Sequence, residues 1–314
     1  MKNMVSILLP AYNEEEVVNK ACEKIALLLE EKDIRYEILL VDDGSKDATW
    51  IEIQNQSKNN PCVRGIRFSR NFGKEAAIFA GLEHINGECC VIMDCDLQHP
   101  PEKILEMYYL WQQGYEIIEG VKENRGRETI FYHICAKGFY KIISTVTRID
   151  MSRASDFKLL DKKVIQVLVT MKENKAFFRA LSSWVGFKTT QISFQVQKRE
   201  AGESKWSLLS LVKYAITNIT SFTAAPMQIV TIFGIVMFFL STILGIVTIF
   251  QKITGLAVEG FTTVIILQLF SSSIIMFSLG VIGHYIAQIY EEVKGRPRSI
   301  ITEECGVKKN EENI

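Results

Sequence analysis

Cys89-Cys90-Val91-Ile92-Met93-Asp94-Cys95-Asp96-Leu97-Gln98-His99-Pro100-Pro101-Glu102 is the stretch from which the fold can be read. Five apolar residues end abruptly in two carboxylates spaced i and i+2, and a Pro-Pro pair then prepares the start of a helix. On a strand, i and i+2 share a face; on the turn just past its end, both converge on one hard cation. An ion held by only two carboxylates keeps positions open for a diphosphate. Asp94 and Asp96 therefore suit a nucleotide-metal site better than a closed protein cage for metal.

Outward from this strand, the pattern repeats. Met4–Leu9, Glu37–Val41 and Val63–Phe68 are short apolar runs, and Glu116–Glu119 is a further strand candidate. Between them lie segments of helical period, Glu14–Glu30, Asp47–Lys58, Lys74–Asn86 and Glu102–Gln113. Near-continuous apolar strands separated by helices predict an α/β domain with a parallel sheet covered on both faces. In such sheets ligands collect beyond the carboxyl ends of the strands. Pro10, Tyr12, Asn13 and Glu14 follow the first strand, Asp42 and Asp43 the second, Asp94 and Asp96 the fourth. There is no Gly-x-Gly-x-x-Gly and no Gly-Lys-Ser/Thr loop, which argues against a dinucleotide dehydrogenase or a P-loop nucleotidase.

Two later runs are of another kind. Ile229–Phe250 and Phe261–Gly283 carry no charge and are long enough to cross a hydrocarbon core of roughly 30 Å. The short link Gln251–Gly260 makes them a hairpin, and the predicted chain is membrane-anchored. Lys205 and Lys213 precede the pair, and Lys294, Arg296 and Arg298 follow it, which places both termini on the cytoplasmic side. Residues 1–225 then form a cytoplasmic domain, 226–290 the hairpin and 291–314 a cytoplasmic tail, charged and disordered from Thr302. Ser207–Thr223 has the pattern of an amphipathic interfacial helix. Lys122–Arg127 reads as a polar loop before a helix over Thr129–Ser144. The 36 basic and 36 acidic residues balance, so nothing in the charge points to nucleic acid. Seven scattered cysteines, with no signal peptide, imply reduced thiols.

Taken singly, these residues have plain alternatives. Asn13, Glu14 and Glu15 suit helix capping, and Asp43-Gly44-Ser45 suits a turn. Asp42 or Asp43 is equally suited to accept hydrogen bonds from a base, Tyr12 to pack against its face, and Glu14 to hold a ribose hydroxyl. His99 reads as a loop residue and not a ligand.

Together, Pro10-Ala11-Tyr12-Asn13-Glu14-Glu15, Val41-Asp42-Asp43-Gly44-Ser45, Ser69-Arg70-Asn71-Phe72-Gly73-Lys74 and Asp94-Cys95-Asp96-Leu97-Gln98-His99-Pro100-Pro101 resemble the motifs of family-2 inverting glycosyltransferases of the GT-A fold, in that family's order. Ser155-Asp156-Phe157-Lys158-Leu159-Leu160 and Arg199-Glu200-Ala201-Gly202-Glu203-Ser204-Lys205-Trp206 are similar to later motifs of polyprenyl-phosphate glycosyltransferases, relatives of dolichyl-phosphate mannose synthase. The two spans resemble those of the bactoprenol glucosyltransferase branch. One departure is Lys158, where many relatives carry Arg: charge is kept and bidentate phosphate recognition lost.

The resemblance implies a GT-A, Rossmann-like catalytic domain moving a hexose or N-acetylhexosamine from a nucleotide sugar, UDP-glucose or UDP-GlcNAc, to undecaprenyl phosphate. It implies Mg²⁺ or Mn²⁺ on Asp94, Asp96 and Gln98, bridging the donor diphosphate. Donor contacts fall to Pro10, Tyr12, Glu14, Asp42, Asp43, Arg70 and Lys74. Acceptor phosphate falls to Lys158, Arg125, Arg127, Arg199 and Lys205, whose alternative is attraction to anionic lipid. Asp156 either orients substrate or assists deprotonation, and a homo-oligomer is expected. Rival readings are a processive polysaccharide synthase and a non-catalytic nucleotide-sugar-binding membrane protein.

Overall fold

The computed structural model describes residues 3–122, 155–171, 173, 177–195, 225–255 and 260–306. The chain forms two compact units, Met1–Trp206 with Pro297–Ile314, and Ser207–Arg296.

In the first unit the elements run β1 (Met4–Ala11), α1 (Val18–Glu31), β2 (Arg35–Asp42), α2 (Thr49–Asn59), β3 (Val63–Phe68), α3 (Lys74–His84), β4 (Cys89–Ile92), α4 (Lys103–Gln112), β5 (Ile117–Lys122), β6 (Lys158–Asp161), α5 (Lys162–Thr170), α6 (Phe178–Trp184) and β7 (Thr189–Phe194). A last strand, β8 (Ile301–Cys305), belongs to the same sheet. The strand order is β7-β5-β6-β4-β1-β2-β3-β8. β3, β2, β1 and β4 are mutually parallel, while β6 runs antiparallel to both β4 and β5, and β8 to β3. The predicted mainly parallel, Rossmann-like sheet is present.

This order fixes where a ligand can sit. β2 and β3 lie on one side of β1 and β4 on the other, so the order reverses at the β1–β4 pair and opens a crevice beyond their carboxyl ends. The apolar runs form the floor: Ile7, Leu9, Ile38, Leu40, Cys89 and Val91 are fully buried. Such strands, covered on both faces, need no polar alternation.

Two local differences from the sequence reading matter. The helix after β1 begins at Val18 and not at Glu14, and no side chain caps it. The backbone N–H groups of Asn13, Glu14 and Glu15 are instead held by Ser45 Oγ at 2.9 Å, Thr49 Oγ1 at 2.8 Å and Asp47 Oδ2 at 3.4 Å. Asn13 is left-handed, at φ 56°. Those polar residues thus tie the β1 loop to the β2 loop and leave the helix end uncapped. The start of the tail expected to be disordered from Thr302 belongs to strand β8, paired with β3 in the register Arg67↔Glu303, and residues 307–314 lie outside the described residues. Its sequence is mostly polar, which suits an edge strand.

The described part of the second unit is two helices, α7 (Ala225–Ile253) and α8 (Phe261–Val293). Met227–Ile253 and Leu267–Val293 have mean hydropathies of 2.5 and 1.6, and their apolar side chains are exposed. Each span is about 40 Å long, enough to cross a bilayer. Hydroxyls in these helices bond within them: Thr231 Oγ1 donates to the Met227 carbonyl, Thr248 Oγ1 to Leu244 and Ser278 Oγ to Ile274. They need no outside partner in hydrocarbon. The expected helices over Thr129–Ser144 and Ser207–Thr223 lie outside the described residues.

Candidate active site

A cleft of about 280 Å³ opens at the β1–β4 reversal, lined by Pro10, Ala11, Tyr12, Glu14, Asp43, Asn71, Gly73, Lys74, Ala77, Asp94, Cys95 and Asp96. Residues far apart in sequence meet here because each follows a strand of the parallel block or begins α3. Cys95 Sγ donates to the Pro10 carbonyl at 3.5 Å, tying the end of β4 to the end of β1. Past β4 the chain turns sharply, with Leu97 left-handed at φ 56° and the Gln98 N–H donating to Asp96 Oδ1 at 3.1 Å. Asp94 and Asp96 consequently face one cleft.

Lys74, on the first turn of α3, stands between two carboxylates: Nζ is 2.5 Å from Asp94 Oδ1 and 2.8 Å from Asp156 Oδ2. Arg179, from α6, closes the other side of Asp156, with Nε donating to Oδ1 at 2.6 Å and Nη2 to Oδ2 at 2.8 Å. Burial alone would raise the Asp156 pKa; the Lys74 ammonium and Arg179 guanidinium outweigh it and hold the carboxyl well below the usual range. Burial likewise opposes ionisation of Asp94, and Lys74 overcomes it. Lys74 is raised in turn: burial works against its charge, but Asp94 and Asp156 together dominate.

His99 lies in the loop after β4, as expected, but is packed there and not exposed. Its ring is buried, stacked on Phe157 at 4.8 Å and met edge-on by Phe194 at 5.4 Å. Burial lowers its pKa, and Nδ1 lies 3.3 Å from the Asp94 N–H that donates to it. His99 thus fixes the backbone of Asp94. Glu75, next to Lys74, is pushed up to about 7 by burial and then by the Asp156 charge, although it accepts the Phe178 N–H at 2.8 Å.

At the other end of the cleft, the β2 loop carries the adjacent acids. Asp43 accepts the N–H groups of Phe72 at 2.6 Å and Gly73 at 2.9 Å, so both its oxygens are engaged. Asp42 is fully buried behind it, with Oδ1 accepting the Ser45 N–H at 2.9 Å. Gly44 has φ 66°, and a Cβ there would fall 2.4 Å from the Arg70 carbonyl carbon. Only glycine lets the two loops approach so closely.

Pro10, Tyr12, Glu14, Asp43, Lys74, Asp94 and Asp96 are brought together, with Asp156 reached through Lys74. Arg70 is not in the lining: its guanidinium lies over the Phe72 ring at 4.7 Å. Nor is Lys158, which is completely buried, Nζ on Glu119 Oε1 at 2.6 Å and Ser182 Oγ at 2.8 Å. In this arrangement its charge is neutralised inside the core and is not presented to a phosphate. Arg125, Arg127, Arg199 and Lys205 lie outside the described residues. Arg179 was not singled out in the sequence; the sign was a lone cation at the start of the apolar segment Phe177-Phe178-Arg179-Ala180-Leu181.

As a metal site, the donor set is two carboxylates on one wall, and no cluster of three or more His, Cys, Asp or Glu suited to a metal occurs among the described residues. That fits a hard divalent ion completed by oxygens of a bound diphosphate, and does not fit a closed structural site.

Comparison with known proteins agrees with this architecture. Residues 6–179 match the model of glycosyl transferase family 2, and residues 225–289 match the GtrB C-terminal hairpin. The chain is 38% identical to the Bacillus subtilis glycosyltransferase YkcC over 96% of this chain and 94% of that protein. It is 34% identical to an Escherichia coli prophage bactoprenol glucosyl transferase homolog over 95% and 98%. A crystal structure of glucosyl-3-phosphoglycerate synthase from Mycobacterium tuberculosis with Mn²⁺, UDP-glucose and phosphoglyceric acid aligns with a TM-score of 0.48 at 15% identity, over 69% of this chain and 78% of that one.

Proposed function

This chain belongs to glycosyl transferase family 2, and from that premise we propose that it transfers a hexose or N-acetylhexosamine from a UDP-sugar to undecaprenyl phosphate, with inversion at the anomeric carbon. The observation that carries the reading is the cleft itself. It joins an end lined by Tyr12, Glu14 and Asp43, which suits a nucleoside, to an end lined by Asp94, Asp96 and Lys74, which suits a metal-bound diphosphate. Relatives named bactoprenol glucosyl transferases, which align over nearly the full chain, support the lipid acceptor.

Asp94 and Asp96, aided by Gln98, would hold Mg²⁺ or Mn²⁺, which when bound stabilises the leaving diphosphate as a Lewis acid. The rest falls to the protein's own groups. Lys74 offers a cation beside the diphosphate, and Arg179 with Asp156 orients the sugar. A phosphate oxygen of the acceptor attacks the anomeric carbon as the bond to the diphosphate breaks. That oxygen is already ionised near neutral pH, so positioning matters more than a base. Asp156, bound by two cations, is too weak a base to take a proton and acts by holding Lys74 and Arg179 in place. Arg125, Arg127, Arg199 and Lys205 are assigned to the acceptor phosphate. The charges flanking the hairpin favour a catalytic domain and both termini in the cytoplasm, and a homo-oligomer as the working form.

The test is transfer by the purified full chain to undecaprenyl phosphate, with a panel of UDP- and GDP-sugars and mass analysis of the lipid. One added sugar is expected, lost on chelation of divalent ions and in Asp94→Asn and Asp96→Asn. A growing polymer overturns the single-transfer reading. Transfer unchanged in both variants overturns the site.

A further inference from the structure

The strand that returns the chain from α8 to the sheet does more than finish an edge. We infer that β8 is a working part of the donor site: Glu303 is a positioning residue that holds Arg67 and, through its contacts with Asp42 and Ser45, the loop that presents Asp43 to the nucleoside. The inference rests on the UDP-sugar reading above and adds a residue that none of the motifs contains.

Glu303 and Arg67 are directly paired across β8 and β3, so their side chains share a face. Glu303 Oε1 accepts from Arg67 Nη1 at 3.1 Å and Oε2 from Trp50 Nε1 at 2.9 Å. The guanidinium also lies over the Trp50 ring, 5.9 Å from its centroid. Its inward edge meets the β2 loop, with Nε 3.1 Å from Asp42 Oδ2 and Nη2 donating to the Ser45 carbonyl at 3.4 Å. As a surface pair, Arg67–Glu303 contributes little: the two side chains are 29% and 47% exposed. Its importance is orientation, because Glu303 and Trp50 fix the outer side of a guanidinium whose inner side carries a fully buried carboxylate.

Asp42 Oδ2 is a buried oxygen that accepts no hydrogen bond, despite the ion pair with Arg67. Asp42 pairs in register with Ala11, which lines the cleft. Sealed there, it braces the loop, while Asp43 beside it lines the cleft and keeps a further lone pair on each oxygen, which suits the N3–H of uracil. Cytosine has a bare acceptor at N3 and is disfavoured by the same carboxylate, so the relay selects as well as binds.

β8 is seated by specific contacts. Ser69 N–H donates to the Ile300 carbonyl at 2.9 Å. A Cβ at Gly65 would meet Ile53 Cγ2 at 2.4 Å and Cys305 Sγ at 2.9 Å, so the glycine makes room for the strand's last side chain.

The experiment compares UDP and CDP binding, and donor KM and kcat, for wild type, Glu303→Ala and Glu303→Gln in the full chain, with a thermal melt of each. Glu303→Ala is expected to weaken UDP binding and raise donor KM about tenfold, the scale of one charge-assisted hydrogen bond, with a smaller change in kcat and a reduced UDP-over-CDP preference. Glu303→Gln, which keeps an acceptor oxygen, recovers most of the loss. If Glu303→Ala lowers the melting temperature and kcat but leaves donor KM and base preference intact, β8 is only a brace and the inference fails. If UDP binds wild type and both variants alike, the inference fails as well. A wild-type chain that binds no uridine nucleotide refutes the donor reading itself, a result distinct from either.

Discussion

Glu75 is the side chain whose ionisation leaves the clearest mark on stability. It sits between Lys74 and the Asp156 cluster, and burial, then the Asp156 charge, push it up to about 7 from an ordinary 4.5. The folded protein therefore holds a proton between those two values that the unfolded chain has released. The stabilisation linked to that proton is complete below about pH 4.5 and is lost as pH rises through 7. Between pH 5.5 and 8 the loss integrates to about 2 kcal/mol, at roughly 1.4 kcal/mol for each pH unit over which the proton is held. Glu75→Gln keeps the shape, and its amide oxygen can still accept the Phe178 N–H. It has no proton to lose. Thermal unfolding of the full chain in detergent, followed by circular dichroism at the two pH values, should show wild type losing roughly 4–8 °C more than the variant. Parallel losses in the two proteins would refute the argument, because they would show that folded Glu75 is already ionised at pH 5.5.

Two further substitutions probe the charges around the sheet. Lys158→Met strands Glu119 with Ser183 and Gln191 as its remaining hydrogen-bond partners and should cost about 3–5 kcal/mol in a denaturant titration, whereas Lys158→Met with Glu119→Leu should recover most of it. Equal losses in the single and double variants would mean that the pair is not the source. Asp156→Asn should lower kcat by about two orders of magnitude by releasing Lys74 and Arg179, while the acidic limb of the pH–rate profile stays where it is in wild type. A shift of that limb would identify Asp156 as the titrating base.

How much of this could be read from the chain depends on the range of the interaction. The parallel block was legible because its strands are buried on both faces, and a run such as Cys89–Met93 has few other uses. The same logic exposed the two apolar helices and placed Asp94 and Asp96 at a strand end. β8 was not legible: Thr302, Glu303 and Glu304 carry no apolar pattern, and the strand exists because β3 offers an open edge and Gly65 leaves room for Cys305. Lys158 was misjudged because a motif position says nothing of burial; Glu119, on a neighbouring strand, decides that. Arg179, and the burial of the loop residue His99, were missed for a related reason. Their partners Asp156, Phe157 and Phe194 meet them only after folding, through contacts that no local spacing encodes.

Those late-formed contacts are also what makes the charge at the cleft sensible. Asp94, Asp96 and Asp156 face the two cations Lys74 and Arg179, while burial keeps His99 toward neutrality and Glu75 near the middle of its titration at neutral pH. Lys122 adds a third cation near Asp94 and Asp156, and Glu14 and Asp43 add acids to the lining, so carboxylates outnumber cations around the cleft. A hard divalent ion on Asp94 and Asp96 would offset that excess and make the phosphate end attractive to a diphosphate. Without the ion, Lys74 bridges Asp94 and Asp156 and limits the repulsion between them. One lysine thus serves the empty and the loaded cleft, which requires a flexible point charge. An arginine at position 74 would form a bidentate pair with one carboxylate and leave the other unbalanced.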